Sequence, residues 1–107
     1  MRFLMTNKAG GAEPDENFYD EMGRFIEELT ASGALLATGG LEPGGIRLIS
    51  AGGELTVTDR PFAEAKEAVA GFALIEVRSR EEAVELARRF RRIVGDGESV
   101  VQQVFGP

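Results

Sequence analysis

Cysteine, histidine and tryptophan are all absent from this chain of 107 residues. Without cysteine there is neither a disulfide framework nor a thiolate metal site. Without histidine, the commonest general base and the commonest metal ligand are missing. Chemistry is left to carboxylates, Lys, Arg, hydroxyls and Tyr19, the only tyrosine. No metal and no cofactor are expected. Long apolar runs are lacking too, and none approaches the roughly 18–20 residues of a membrane span. The stretch MRFLMTNKAGG is too briefly apolar for a secretory leader. A cytoplasmic protein without a membrane partner is expected. Positive charge is scarce: 12 Lys and Arg face 18 Asp and Glu, a net −6. That balance argues against a nucleic-acid partner.

What is present suits one domain over residues 1–107, with 43% apolar residues and seven Phe to pack a core. Arg2 to Thr6 reads as a first strand. After a Gly- and Pro-bearing loop, Phe18, Met22, Phe25, Ile26 and Leu29 recur at helical spacing. Asp15, Glu16, Asp20 and Glu21 load the early turns with the charge that a helix N-terminus favours. Gly33 reads as the stop. Ala34 to Thr38 reads as a second strand, and GGLEPGG as a flexible connection. Residues 46–59 read as a hairpin turning at Gly52-Gly53. Gly71 to Val77 is another strand. Ser79 and Glu82 form a capping box for a helix bearing Ala83, Leu86, Ala87 and Phe90 on one face. The Arg cluster from Arg88 to Arg92 reads as its solvated end, and Ser99 to Phe105 as a last strand.

This order, β-α-β, hairpin, β-α-β, predicts an α+β, ferredoxin-like fold. It has an antiparallel sheet with two helices on one face, plus an extra β-hairpin. Phe72 and Leu74 alternate with Ala73, Ile75 and Val77, so the strand is apolar on both sides. Two helices cover only one face. The other is expected to meet a second subunit, with a two-fold homodimer as the simplest closed assembly.

Between the hairpin and the next strand lies TDRPFAEAKE, Thr58 to Glu67. Two readings fit it. In the plain one, Asp59 caps backbone N–H groups before the turn, Pro61 ends the strand, Phe62 anchors the loop, and Glu64, Lys66 and Glu67 face solvent. In the sharper one the segment lines a cleft. Asp59 is then a buried acceptor, and Arg60 and Arg47 clamp an anionic ligand. Glu64 or a desolvated Lys66 moves a proton.

The same ten residues resemble the signature of DGPF proteins, a branch of the YCII-related family, whose usual form is Thr-Asp-Gly-Pro-Phe-Ala-Glu-Thr-Lys-Glu. Leu41-Glu42-Pro43, Ile46-Arg47, Gly71-Phe72 and Glu82-Ala83 extend the resemblance over most of the chain. It implies a dimeric α+β barrel of ferredoxin-like halves. More distant relatives include a dehydrochlorinase of chlorinated-aromatic breakdown. Two departures matter. Arg60 replaces the family Gly, and Met22 lies near where many members carry a His, so a His-dependent mechanism is excluded here.

Three functions are therefore weighed. One is a homodimer that binds a small anionic organic ligand, with Arg47, Asp59, Arg60, Glu64 and Lys66 as polar lining. A second is an isomerase, lyase or dehydrohalogenase acting on a small cyclic or aromatic acid, with Asp59 or Glu64 as base. The third is a regulatory interaction scaffold.

Overall fold

Two stretches with apolar residues at helical spacing form helices, and six shorter ones form strands, in the computed structural model of the chain. The structure describes residues 1–8, 14–61 and 69–106, the side chains of residues 60 and 61 excepted. The order is β1 (Arg2–Lys8), α1 (Glu16–Ala31), β2 (Leu35–Gly40), β3 (Gly44–Ala51), β4 (Glu54–Pro61), β5 (Val69–Glu76), α2 (Arg80–Val94) and β6 (Ser99–Val104). The main sheet runs β2-β5-β1-β6 with every neighbouring pair antiparallel. β5 thus lies between β1 and β2, the split β-α-β arrangement of a ferredoxin-like fold. β3 and β4 form a separate two-stranded sheet in the connection from β2 to β5.

Local chemistry sets the helix ends. Asp15 caps α1, its carboxylate accepting the Phe18 N–H at 2.8 Å. Gly33 follows at φ 82°, a left-handed stop that suits glycine. Ser79 caps α2 by accepting the Glu82 N–H at 3.1 Å. The other half of the expected capping box differs: the Glu82 carboxylate accepts the Arg78 N–H at 3.2 Å. The same carboxylate still closes the turn, one residue earlier.

Two expectations change. GGLEPGG is not one flexible connection, because Gly39 and Gly40 extend β2 while Gly44 and Gly45 open β3. The reason is close approach: a Cβ on Gly39 would come within 3.2 Å of the Phe72 ring, and one on Gly71 within 3.2 Å of the Gly39 carbonyl oxygen. Nor is the Arg cluster simply a solvated helix end. Arg89 lies 4.9 Å over the Phe25 ring and pairs with Glu28, joining α2 to α1. Arg91 donates to the Gly95 carbonyl at 2.7 Å and to Ser99 Oγ at 3.2 Å.

The core lies between the sheet and the helices. Phe3, Met5, Ala73 and Ile75 from the sheet are buried against Phe25 and Leu29 of α1 and Ala83 and Leu86 of α2. The opposite sheet face has no such cover. Leu4, paired with Leu74, and Phe72, beside Thr6, are only half-buried there, and Val100 and Val104 are exposed.

Candidate functional site

The alternation that sends Met5 and Ala73 toward the helices also leaves a gap where α1 meets the sheet. Met22, Phe25, Ile26 and Leu29, one face of α1, form one wall of a crevice of about 50 Å³. Met5, Leu35, Ala73 and Ile75 of the sheet form its floor, and Leu86 and Phe90 of α2 close one side. Its polar lining residues are Asn7 and Thr38, on β1 and β2.

Both polar groups are held in place. Ser99 Oγ donates to Asn7 Oδ1 at 2.6 Å, and Arg91 Nη1 donates to Ser99 Oγ at 3.2 Å. β1 and β6 are paired at these residues, so the sheet register brings Asn7 and Ser99 together. The relay leaves the Asn7 amide N–H₂ as the donor still available at the crevice. Thr38 Oγ1 donates to the Phe72 carbonyl oxygen at 2.8 Å across the β2–β5 pair. No ionisable side chain is among the described residues that line the crevice. Such a wall suits the body of an apolar or aromatic molecule with a few fixed hydrogen bonds at one end. It offers no resident proton carrier. Among the described residues no group of three or more Asp or Glu side chains converges to hold a metal ion.

The hairpin places the motif residues elsewhere. Arg47 is opposite Thr58, and Asp59 opposite Ile46, so the two side chains fall on opposite faces of the ribbon. Both are exposed, and neither forms an ion pair or hydrogen bond with a described residue. Within one chain the structure does not bring Arg47 and Asp59 together, and neither lines the crevice. The Arg60 side chain, Glu64 and Lys66 lie outside the described residues. The polar pair that does line the crevice went unnoticed in the sequence. Asn7 follows the expected end of β1, and Thr38 reads as an ordinary strand residue. The one local signal was Met22, on the apolar stripe of α1.

A split β-α-β sheet with both helices on one side, a hairpin inserted at its edge and a crevice under the first helix define a ferredoxin-like α+β domain. The chain belongs to the YCII-related domain family, whose model matches residues 1–103. No curated protein matches it significantly in sequence. A solved structure similar to it is the 5-chloro-2-hydroxyhydroquinone dehydrochlorinase from Burkholderia phenoliruptrix AC1100, in complex with 2,5-dihydroxybenzoquinone. The two are 16% identical, with a TM-score of 0.51 over 100% of this chain and 96% of the other. At that identity the likeness is one of fold. No helix among the described residues is long and apolar enough to cross a membrane.

Proposed function

We propose that this protein is a cytoplasmic homodimer that binds a small cyclic organic ligand, anionic at one edge, in the crevice between α1 and the sheet. One observation carries the reading: an apolar crevice whose two polar residues, Asn7 and Thr38, are each fixed by a partner. The apolar body of the ligand would lie against Met22, Phe25 and Phe90, with a polar edge toward the Asn7 amide. At about 50 Å³ the space holds only a few waters. A ring-sized ligand therefore requires side chains to move, and Met22, unbranched and flexible, is suited to do so. The anionic preference rests on the cations of the TDRPFAEAKE segment, Arg60 and Lys66, with Glu64 beside them in sequence. Arg47 and Asp59 do not line the crevice of their own chain and would serve it only from a second copy. A small cyclic ligand with oxygen substituents also accords with the 2,5-dihydroxybenzoquinone held by the similar dehydrochlorinase.

A second reading, a lyase or dehydrohalogenase acting on a cyclic acid, has that neighbour's activity in its favour. It needs a base, and the described crevice walls hold none. Asp59 or Glu64 would have to supply it.

Thermal melts against hydroxyquinones, hydroxybenzoates and keto acids separate the readings. A ligand at ten times its Kd adds about 1.4 kcal/mol to a native-state binder. For a chain of this size that raises Tm by roughly 5 °C or more. Asn7→Ala should remove most of the rise. A flat response to every compound at millimolar concentration defeats the binding proposal and leaves the scaffold role. Release of product or halide selects the enzyme.

A further inference from the structure

The β3–β4 hairpin has two unlike faces. Register puts Leu48 opposite Val57 and Ser50 opposite Leu55, with Ile46 next along the same side. Ile46, Leu48, Leu55 and Val57 therefore form one apolar strip, and they are 67%, 59%, 60% and 60% exposed. The other face carries Arg47, Thr56, Thr58 and Glu54, with Ile49 among them. This is the pattern of a ribbon that buries one face. Yet β3 and β4 pack on each other and scarcely on the remaining elements. A lone two-stranded hairpin is marginal in water and needs a packing surface.

The dimensions of the molecule agree. The radius of gyration is 16.1 Å, against about 13 Å for a compact chain of this length. The accessible surface is 7741 Å², about 1,900 Å² above the value of roughly 5,800 Å² that size scaling gives a monomer of this mass. That excess is well beyond the ~800 Å² per partner of a standard interface. A second surface of the same chain also lacks cover: the sheet face bearing Leu4, Phe72 and Leu74, with Val100 and Val104 exposed on it.

We infer that the hairpin is an exchange arm whose apolar strip is covered by the open sheet face of a second copy of this chain. The inference rests on the homodimer reading and specifies its geometry. Two-fold symmetry lets each copy lend its arm and receive the other's, so both uncovered surfaces are satisfied by one operation. Asp59 shares the strip's face at the arm's base, so the exchange carries a carboxylate from one subunit toward the other.

The cysteine-free sequence makes the test direct. Val57→Cys places a thiol on the strip, and Thr56→Cys places one on the opposite face of the same strand. Leu48→Cys and Ile49→Cys repeat the comparison on β3. Sedimentation fixes the assembly state while an alkylating probe measures thiol reactivity. In the dimer, strip thiols should react at least tenfold more slowly than those facing away, and dilution to monomer should abolish the difference. Equal rates on both faces of a dimer overturn the arm but leave the dimer standing. Protection that persists in a monomer also overturns it, because the chain's own body would then be the cover. A monomer with equal rates defeats both the arm and the homodimer.

Discussion

Asn7, Ser99 and Arg91 form a relay that ends at the Gly95 carbonyl, and each member fixes the next. Asn7 and Ser99 are partly buried, so removing either leaves the other with an unmet hydrogen bond. Asn7→Ala should destabilise the chain by about 0.5–1.5 kcal/mol in urea titrations. Ser99→Ala should cost a similar amount. The double variant should cost clearly less than the two together, because both remove one interaction. An additive result would show that the relay does not act as a unit. None of this was legible along the chain, since the two residues are 92 positions apart. No periodicity or propensity links them, and only strand register does. Phe3 lies at the other extreme. Its alternation with Leu4 marks it as a core residue, and it is fully buried.

Elements were the most legible level, because their ends depend on neighbours in sequence. Asp15, Ser79 and Gly33 act where local chemistry expects them to act. Ser79→Ala should lower stability by about 0.5–2 kcal/mol, the ordinary worth of an N-cap. Ser79→Asp should retain most of it, and thermal melts of the pair check this. The expectations that changed were tertiary in origin. Gly39 and Gly40 look like a linker until Phe72 and β5 are placed beside them. Arg89 looks like a solvated helix end until Phe25 and Glu28 of α1 face it. Its ion pair is exposed and worth little alone. Its packing over an aromatic ring is the contribution that salt does not screen.

For the whole molecule, two uncovered apolar surfaces on one chain are the ground for the proposed homodimer. If the homodimer forms, Tm should rise with protein concentration, because association binds only the folded state. Melts spanning a hundredfold range of concentration test this, and a constant Tm counts against it. Replacing Leu48 and Val57 together by Asp should abolish the dependence while the circular dichroism of the helices persists. The reason is that no described side chain of the hairpin belongs to the core between the sheet and the helices. The two-sided character of Phe72 to Val77 already pointed to a second cover. That the hairpin also has a bare apolar side follows only from its pairing register.

The amino-acid order alone determined the number, kind and sequence of the elements and the Ser79 cap, because helix and strand periods and end-capping are local properties, and that sequence of elements implied the split β-α-β arrangement. It also excluded disulfide, thiolate and histidine chemistry. Tertiary structure alone decided that Arg47 and Asp59 point to opposite sides of a ribbon, and that Asn7 and Thr38 line the crevice. Those outcomes depend on strand pairing between residues remote in sequence, where a shift of one position turns every side chain to the other face.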